Sequence, residues 1–262
     1  MRATRYSILS LLVLLLASGC QDSQQAAGPP PSSPPETPAK PEQEQVAIDT
    51  TRYIRAADLL ERMENETGHY VFDVRSEKSY ADSHIRDSLS MPFGKVEPQD
   101  VAQLDGMTLD TPIVTYCGCP HHLAGLGADQ LIEWGYRNVR VLYEGYWYWK
   151  DNRFPVAGLQ LQQTRELMFA GVVVSGDRPL ASTDVFIRNT RNGQLEAAAT
   201  DANGRFETAF HVLGYRPDDR FEVRVGSLEA PVARVLGGAQ TGNITMPVVD
   251  IDESSFTSQG QG

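Results

Sequence analysis

From about residue 50 the chain alternates between short apolar runs and segments with apolar residues at helical spacing. Residues 56–63, from Ala56 to Met63, have the spacing of a helix. Tyr70 to Arg75 reads as a buried strand that ends in polar residues. A short strand over 88–92 is stopped by Pro92, and 112–116 forms another buried strand. A loop containing glycine and histidine follows. Leu123 to Trp134 is then a predicted helix, closed by Gly135. Val139 to Tyr143 is the next strand. Strands alternating with helices imply a mostly parallel sheet covered on both faces. In such sheets ligands sit at the carboxyl ends of the strands, which is where Cys117 falls.

The texture changes after the segment 159–165. Gly171 to Val174, Asp184 to Ile187 and Phe221 to Val225 are short strand-like runs, separated by turns such as Ser175 to Leu180 and Asp201 to Arg205. This pattern predicts a small antiparallel β-sandwich over 166–250. The fold class expected is therefore α/β, followed by a small all-β domain. Beyond residue 250 the chain is polar and reads as a disordered tail over 251–262.

The N-terminal segment has the layout of an export signal rather than of a fold. Arg2 and Arg5 precede the uncharged apolar run Ile8 to Ala17, and Ala17-Ser18-Gly19-Cys20 follows. A cysteine after small residues resembles the lipobox of bacterial lipoproteins. The resemblance implies cleavage after residue 19 and a diacylglyceryl group on the Cys20 thiol. Gln21, where an aspartate would imply retention at the inner membrane, leans toward the outer membrane, facing the periplasm. Residues 20–49 are rich in Pro, Gln, Ser, Ala and Glu, too polar to offset chain entropy by burial, and read as a tether.

The formal net charge of −11 argues against nucleic acid or an anionic membrane surface as the main partner. With Cys20 assigned to the anchor, two of the three cysteines remain, Cys117 and Cys119. Two thiols this close in an oxidising compartment read as a chemical site rather than as structural staples.

Residues 50–158 resemble a rhodanese-like domain. The residues that carry the resemblance are Asp73-Val74-Arg75, then Tyr80, His84-Ile85 and Ser90-Met91-Pro92. Tyr116-Cys117 with its loop and helix follow, then Gly135, Val139 to Leu142, Gly145, Trp149 and Pro155-Val156. The resemblance implies a double displacement in which Cys117 takes a sulfane sulfur as a persulfide and passes it to a second thiophile. The implied partners are a small sulfur anion such as thiosulfate and a thiol acceptor, with no cofactor. A thiol between a strand end and a helix start meets backbone N–H groups and the positive end of the helix dipole. It is therefore expected to be acidic. Gly118, His121 and Arg75 are the expected substrate-binding residues, with Asp73 and Arg75 forming an ion pair that pins the loop.

The loop Cys117-Gly118-Cys119-Pro120-His121-His122 departs from the family pattern, because His122 stands where many members have Arg, Thr or Ser. Cys117, Cys119 and His122 are the candidate catalytic residues, with Cys119 as resolving thiol. Two alternatives stay open. The two thiols form a redox-active pair, or Cys117, Cys119, His121 and His122 bind Cu(I) or Zn(II) in a non-catalytic metal or persulfide carrier. Tyr146, Trp147 and Trp149 read as helix packing, His84 as a structural histidine, and His69 and His211 carry no signal. The region 166–250 resembles a carboxypeptidase-regulatory-like module through its turn Thr200-Asp201, Gly204-Arg205-Phe206. That resemblance implies an accessory role, such as protein contact.

Overall fold

The structure, a computed structural model, describes residues 49–94, 104–118, 122–237 and 243–250. The signal segment, Cys20, the tether up to residue 48, Cys119, Pro120, His121 and the tail 251–262 lie outside the described residues. All described residues belong to one compact unit, Ala47–Gly262.

The first half runs β1 (Tyr53–Ile54), α1 (Ala56–Asn65), β2 (Tyr70–Asp73), α2 (Glu77–Asp82), β3 (His84–Ile85) and β4 (Leu89–Ser90). It continues through β5 (Ile113–Tyr116), α3 (His122–Glu133), β6 (Val139–Leu142), α4 (Gly145–Asp151) and β7 (Val156–Ala157). Strands β1-β6-β5-β2-β4 form one five-stranded sheet, parallel throughout. β3 and β7 form a separate antiparallel pair.

Side chains of β5 serve two cores in turn, as the period of a strand demands. Ile113 and Cys117 join Phe72, Leu123, Ala128 and Leu131 on the α3 face. Val114 and Tyr116 join Leu59, Tyr146 and Trp149 on the face of α1 and α4. Strands buried on both faces read as continuous apolar runs, which is why the sequence shows them so clearly. β2 ends at Asp73, short of the predicted Arg75. The Arg75 N–H is taken by the Asp73 side chain at 3.0 Å, a local bond that competes with the ladder. The end of α3 matches its prediction. Gly135 sits at φ +98°, while the Gly135 N–H bonds the Ile132 carbonyl and the Tyr136 N–H bonds that of Leu131. This is a glycine-dependent helix stop.

The second half holds β8 (Thr164–Ser175), β9 (Arg178–Pro179), β10 (Asp184–Asn189), β11 (Leu195–Ala199), β12 (Arg205–Leu213), β13 (Phe221–Val225), β14 (Arg234–Leu236) and β15 (Asn243–Asp250). One sheet has the order β11-β10-β13-β14 and the other β12-β8-β15, with β9 beside β8. They share a core that includes Phe169, Phe210, Phe221, Val185 and Ile187. The expectation of a wholly antiparallel arrangement needs one correction: β15 runs parallel to β8.

β10 also faces two cores. Val185 and Ile187 point into the space between the two sheets, whereas Phe186, with Ala197 of β11, joins the core around α3 and Cys117. The all-β region is thus packed directly against the part of the parallel sheet that carries the thiol.

Candidate active site

Cys117 is the first residue after β5, so it stands at the carboxyl end of a central strand. Its carbonyl accepts the Tyr146 N–H at 2.9 Å, which joins the strand end to α4. The Thr115 hydroxyl donates to the Ala124 carbonyl at 2.8 Å and ties the strand to the first turn of α3. The Ala124 N–H itself favours the ionised thiol, as expected of a helix start.

That favourable effect is outweighed. Cys117 is fully buried, and burial pushes its thiol well above the ordinary range. The Glu196 carboxylate raises it further, against the opposing pull of Ala124 and Arg75. The expectation of an acidic thiol is therefore corrected. Loss of solvent and a nearby negative charge outweigh the helix start.

Glu196 belongs to β11, in the other half of the chain, and is itself only 4% exposed. A Cβ placed on Gly118 would lie 3.4 Å from Glu196 Oε2 and 3.1 Å from the Trp147 indole nitrogen. A larger residue there would require the indole or the carboxylate to give by a few tenths of an ångström. Around Gly118 is a cavity of about 20 Å³, also lined by Arg75, Tyr146, Trp147, Gln194, Glu196 and His211. It is large enough for about one water molecule.

Arg75 does line this cavity, but its guanidinium is engaged. Its Nε donates to Asp73 Oδ1 at 2.9 Å. Its terminal nitrogen donates to Asp73 Oδ2 at 2.6 Å and to the Ser83 carbonyl at 2.7 Å. Burial disfavours the charge, but Asp73 outweighs burial and holds the guanidinium above its ordinary range. The Tyr116 hydroxyl donates to Asp73 at 2.8 Å, and the Arg75 guanidinium lies 3.9 Å from the Tyr146 ring centre. The ion pair expected from Asp73 and Arg75 is present and pins the strand end. The charge expected to hold a substrate anion is already matched.

His122 is also placed differently from the expectation. It opens α3, and its Nε2 lies 3.0 Å from Asp184 Oδ1 of β10, a partner in the all-β region rather than an anion at the thiol. His84 matches its structural reading: Nδ1 is 2.7 Å from the Tyr80 carbonyl and the two rings stack.

Four contributors, Trp147, His211, Gln194 and Glu196, were given no role at the site by the sequence. Trp147, expected only to pack, stacks on His211 with ring centres 4.2 Å apart, and both line the cavity. Burial lowers the His211 pKa, so the ring there is uncharged at neutral pH. Gln194 donates to the Ser79 hydroxyl at 3.2 Å and to the His211 carbonyl at 3.1 Å, which joins the two halves beside the cavity. The signal available for Glu196 was a lone carboxylate inside the apolar run Leu195 to Ala199. No cluster of three or more His, Cys, Asp or Glu residues suited to a metal is present among the described residues.

Comparison with known proteins identifies one domain in the first half of the chain. Residues 55–152 match the family model of the rhodanese-like domain. Thiosulfate sulfurtransferase 18 of Arabidopsis thaliana is 27% identical over 123 residues, which cover 44% of this chain and 85% of that protein. Among solved structures, a Bacillus halodurans protein is 26% identical with a TM-score of 0.38, over 42% of this chain and 79% of its own. A thiosulfate sulfurtransferase from Pseudomonas aeruginosa is 23% identical with a TM-score of 0.37, over 41% of this chain and 20% of its own. The parallel sheet that ends in Cys117, with its flanking helices, is a rhodanese-like domain.

Proposed function

We propose that this protein is a sulfurtransferase that passes sulfane sulfur through a Cys117 persulfide, from a lipid-anchored position in the bacterial envelope. The observation that carries the reading is the place of Cys117, at the end of β5 with the Ala124 N–H turned toward its sulfur. A terminal persulfide is more acidic than a thiol, so the same N–H stabilises it once formed. Because the thiol is fully buried, transfer requires the cover over it to part.

Lipidation of Cys20 supplies the anchor, and the envelope location follows from the signal that precedes it. Cys119 is the resolving thiol in this reading. The all-β region is a carboxypeptidase-regulatory-like module. Its turn is held by Asp201 Oδ1, which accepts the Asn203 and Arg205 N–H groups at 2.8 Å each.

The test is peptide-resolved mass after incubation with a sulfane-sulfur donor, followed by turnover with cyanide as acceptor. One added sulfur on Cys117, lost on addition of cyanide, is expected, and Cys117→Ser abolishes it. No adduct on Cys117 overturns the reading. Full burial of the thiol favours one alternative, a persulfide carrier. A carrier would hold the adduct but show no repeated turnover.

A further inference from the structure

We propose that the all-β region is a hinged cover on the rhodanese-like domain, closed over the carboxyl end of the parallel sheet, and that Cys117 exchanges sulfur only in a minor state in which this region has swung away. The gate on sulfur transfer presupposes the sulfurtransferase reading, whereas the closure itself does not.

The contacts between the two halves gather at one end of the sheet. After β2, the Ser79 hydroxyl accepts from the Gln194 side chain at 3.2 Å. After β4, the Phe93 ring stacks on Phe186 of β10, with centres 6.2 Å and planes 14° apart. After β5, His122 Nε2 lies 3.0 Å from Asp184 Oδ1 of β10. After β6, Trp147 stacks on His211 of β12 with centres 4.2 Å apart. Each of these contacts is made within the first turn beyond the strand. Four strands of the sheet are therefore capped at the same end, the end at which ligands reach sheets of this kind. Among these contacts Phe186 and Ala197, 4% and 2% exposed, complete the buried cluster that contains Cys117. The entrance is filled by part of the same chain.

The closure has the makings of a reversible one. The His122–Asp184 pair is partly exposed and Gln194 makes a neutral hydrogen bond to Ser79, both contacts of modest strength. Mixed polar and apolar interfaces between parts of one chain commonly permit relative motion. The apolar share, Phe186 and Ala197 against Phe93 and the α3 face, keeps the closed state dominant. Every member of the core between the two sheets of the all-β region lies within that region, so opening leaves it intact. Residues 158–163, between β7 and β8, join the halves. Leu159 and Leu161 there are 68% and 78% exposed, so the apolar side chains of this segment hold it to neither half. Extended, it reaches about 20 Å, enough to clear the rim. One opening admits the donor and a later one the acceptor. Between them the persulfide is closed off from water and oxidants.

The experiment follows alkylation of Cys117 by iodoacetamide in the full chain, read by fragment mass, at rising urea concentrations below the unfolding transition. The dependence of the rate on urea measures the surface uncovered when the thiol becomes reachable. The expected slope lies well above zero and well below that of global unfolding, as for a region that detaches while both cores persist. A slope near zero assigns access to a small motion beside the thiol and overturns the cover. A slope equal to that of global unfolding overturns it as well. In water, Phe93→Ala and Phe186→Ala, one from each side of the stack, each speed alkylation by about tenfold or more. Sulfur loading of Cys117 from thiosulfate or glutathione hydropersulfide speeds up with it. Variants that keep the parental circular dichroism and alkylate at the parental rate refute the cover. Faster alkylation with no sulfur loading from either donor leaves the cover standing and overturns the sulfurtransferase reading instead.

Discussion

His122 Nε2 and Asp184 Oδ1 lie 3.0 Å apart, so the first residue of the helix behind Cys117 is joined to a strand of the all-β region. Both side chains are about three-tenths exposed, and partly exposed pairs contribute little to stability, about 0–1 kcal/mol. His122→Ala should therefore lower the unfolding free energy by less than about 1 kcal/mol in urea titration. Its larger effect should be local: iodoacetamide should reach Cys117 several times faster than in the parent. An unchanged alkylation rate would show that this pair does not hold the cover in place.

Asp73→Asn should be far more damaging. Asp73 is fully buried and accepts from Arg75 and Tyr116. The substitution leaves the Arg75 guanidinium buried without its counter-charge, a loss of about 3–5 kcal/mol. Denaturant unfolding monitored by circular dichroism measures it. A cost below 1 kcal/mol would mean that Arg75 finds water or another partner.

The reactivity of Cys117 should depend on pH in a set direction. Its folded pKa is raised, so the neutral thiol is the form the fold favours. In the unfolded chain the thiol ionises near about 8.5. The stabilising contribution of this group is thus complete below that pH and is lost as pH rises above it. Alkylation of Cys117 should keep accelerating beyond pH 8.5 without a plateau, and the loss of stability between pH 8 and 10 should be smaller in Cys117→Ser. A plateau in alkylation below pH 8 would contradict the burial of this thiol.

The parallel sheet was legible because its strands are buried on both faces and leave uninterrupted apolar runs, as in Ile113-Val114. The glycine that ends α3 was legible because only φ above zero satisfies that turn. The position of the thiol followed from the same pattern. Its environment did not, since periodicity reports which faces are buried but not which element buries them. Val185-Phe186-Ile187 held the missing sign. Three consecutive large apolar residues in a strand of a two-sheet region imply that both its faces are covered. The partners of His122 and the stacking of Trp147 on His211 are long-range contacts that local spacing does not encode.

The pairing of β15 with β8 has a consequence for the order of assembly. β8 opens the all-β region and β15 is the last strand described, yet Met168 lies opposite Asn243. This sheet cannot close until the chain has been made as far as β15, beyond every strand of the parallel sheet. During synthesis Cys117 is made before β10 and β11, whose Phe186 and Ala197 pack into the core around it. The newborn chain therefore passes through an interval in which its thiol lacks that cover, and packing of β10 and β11 ends it.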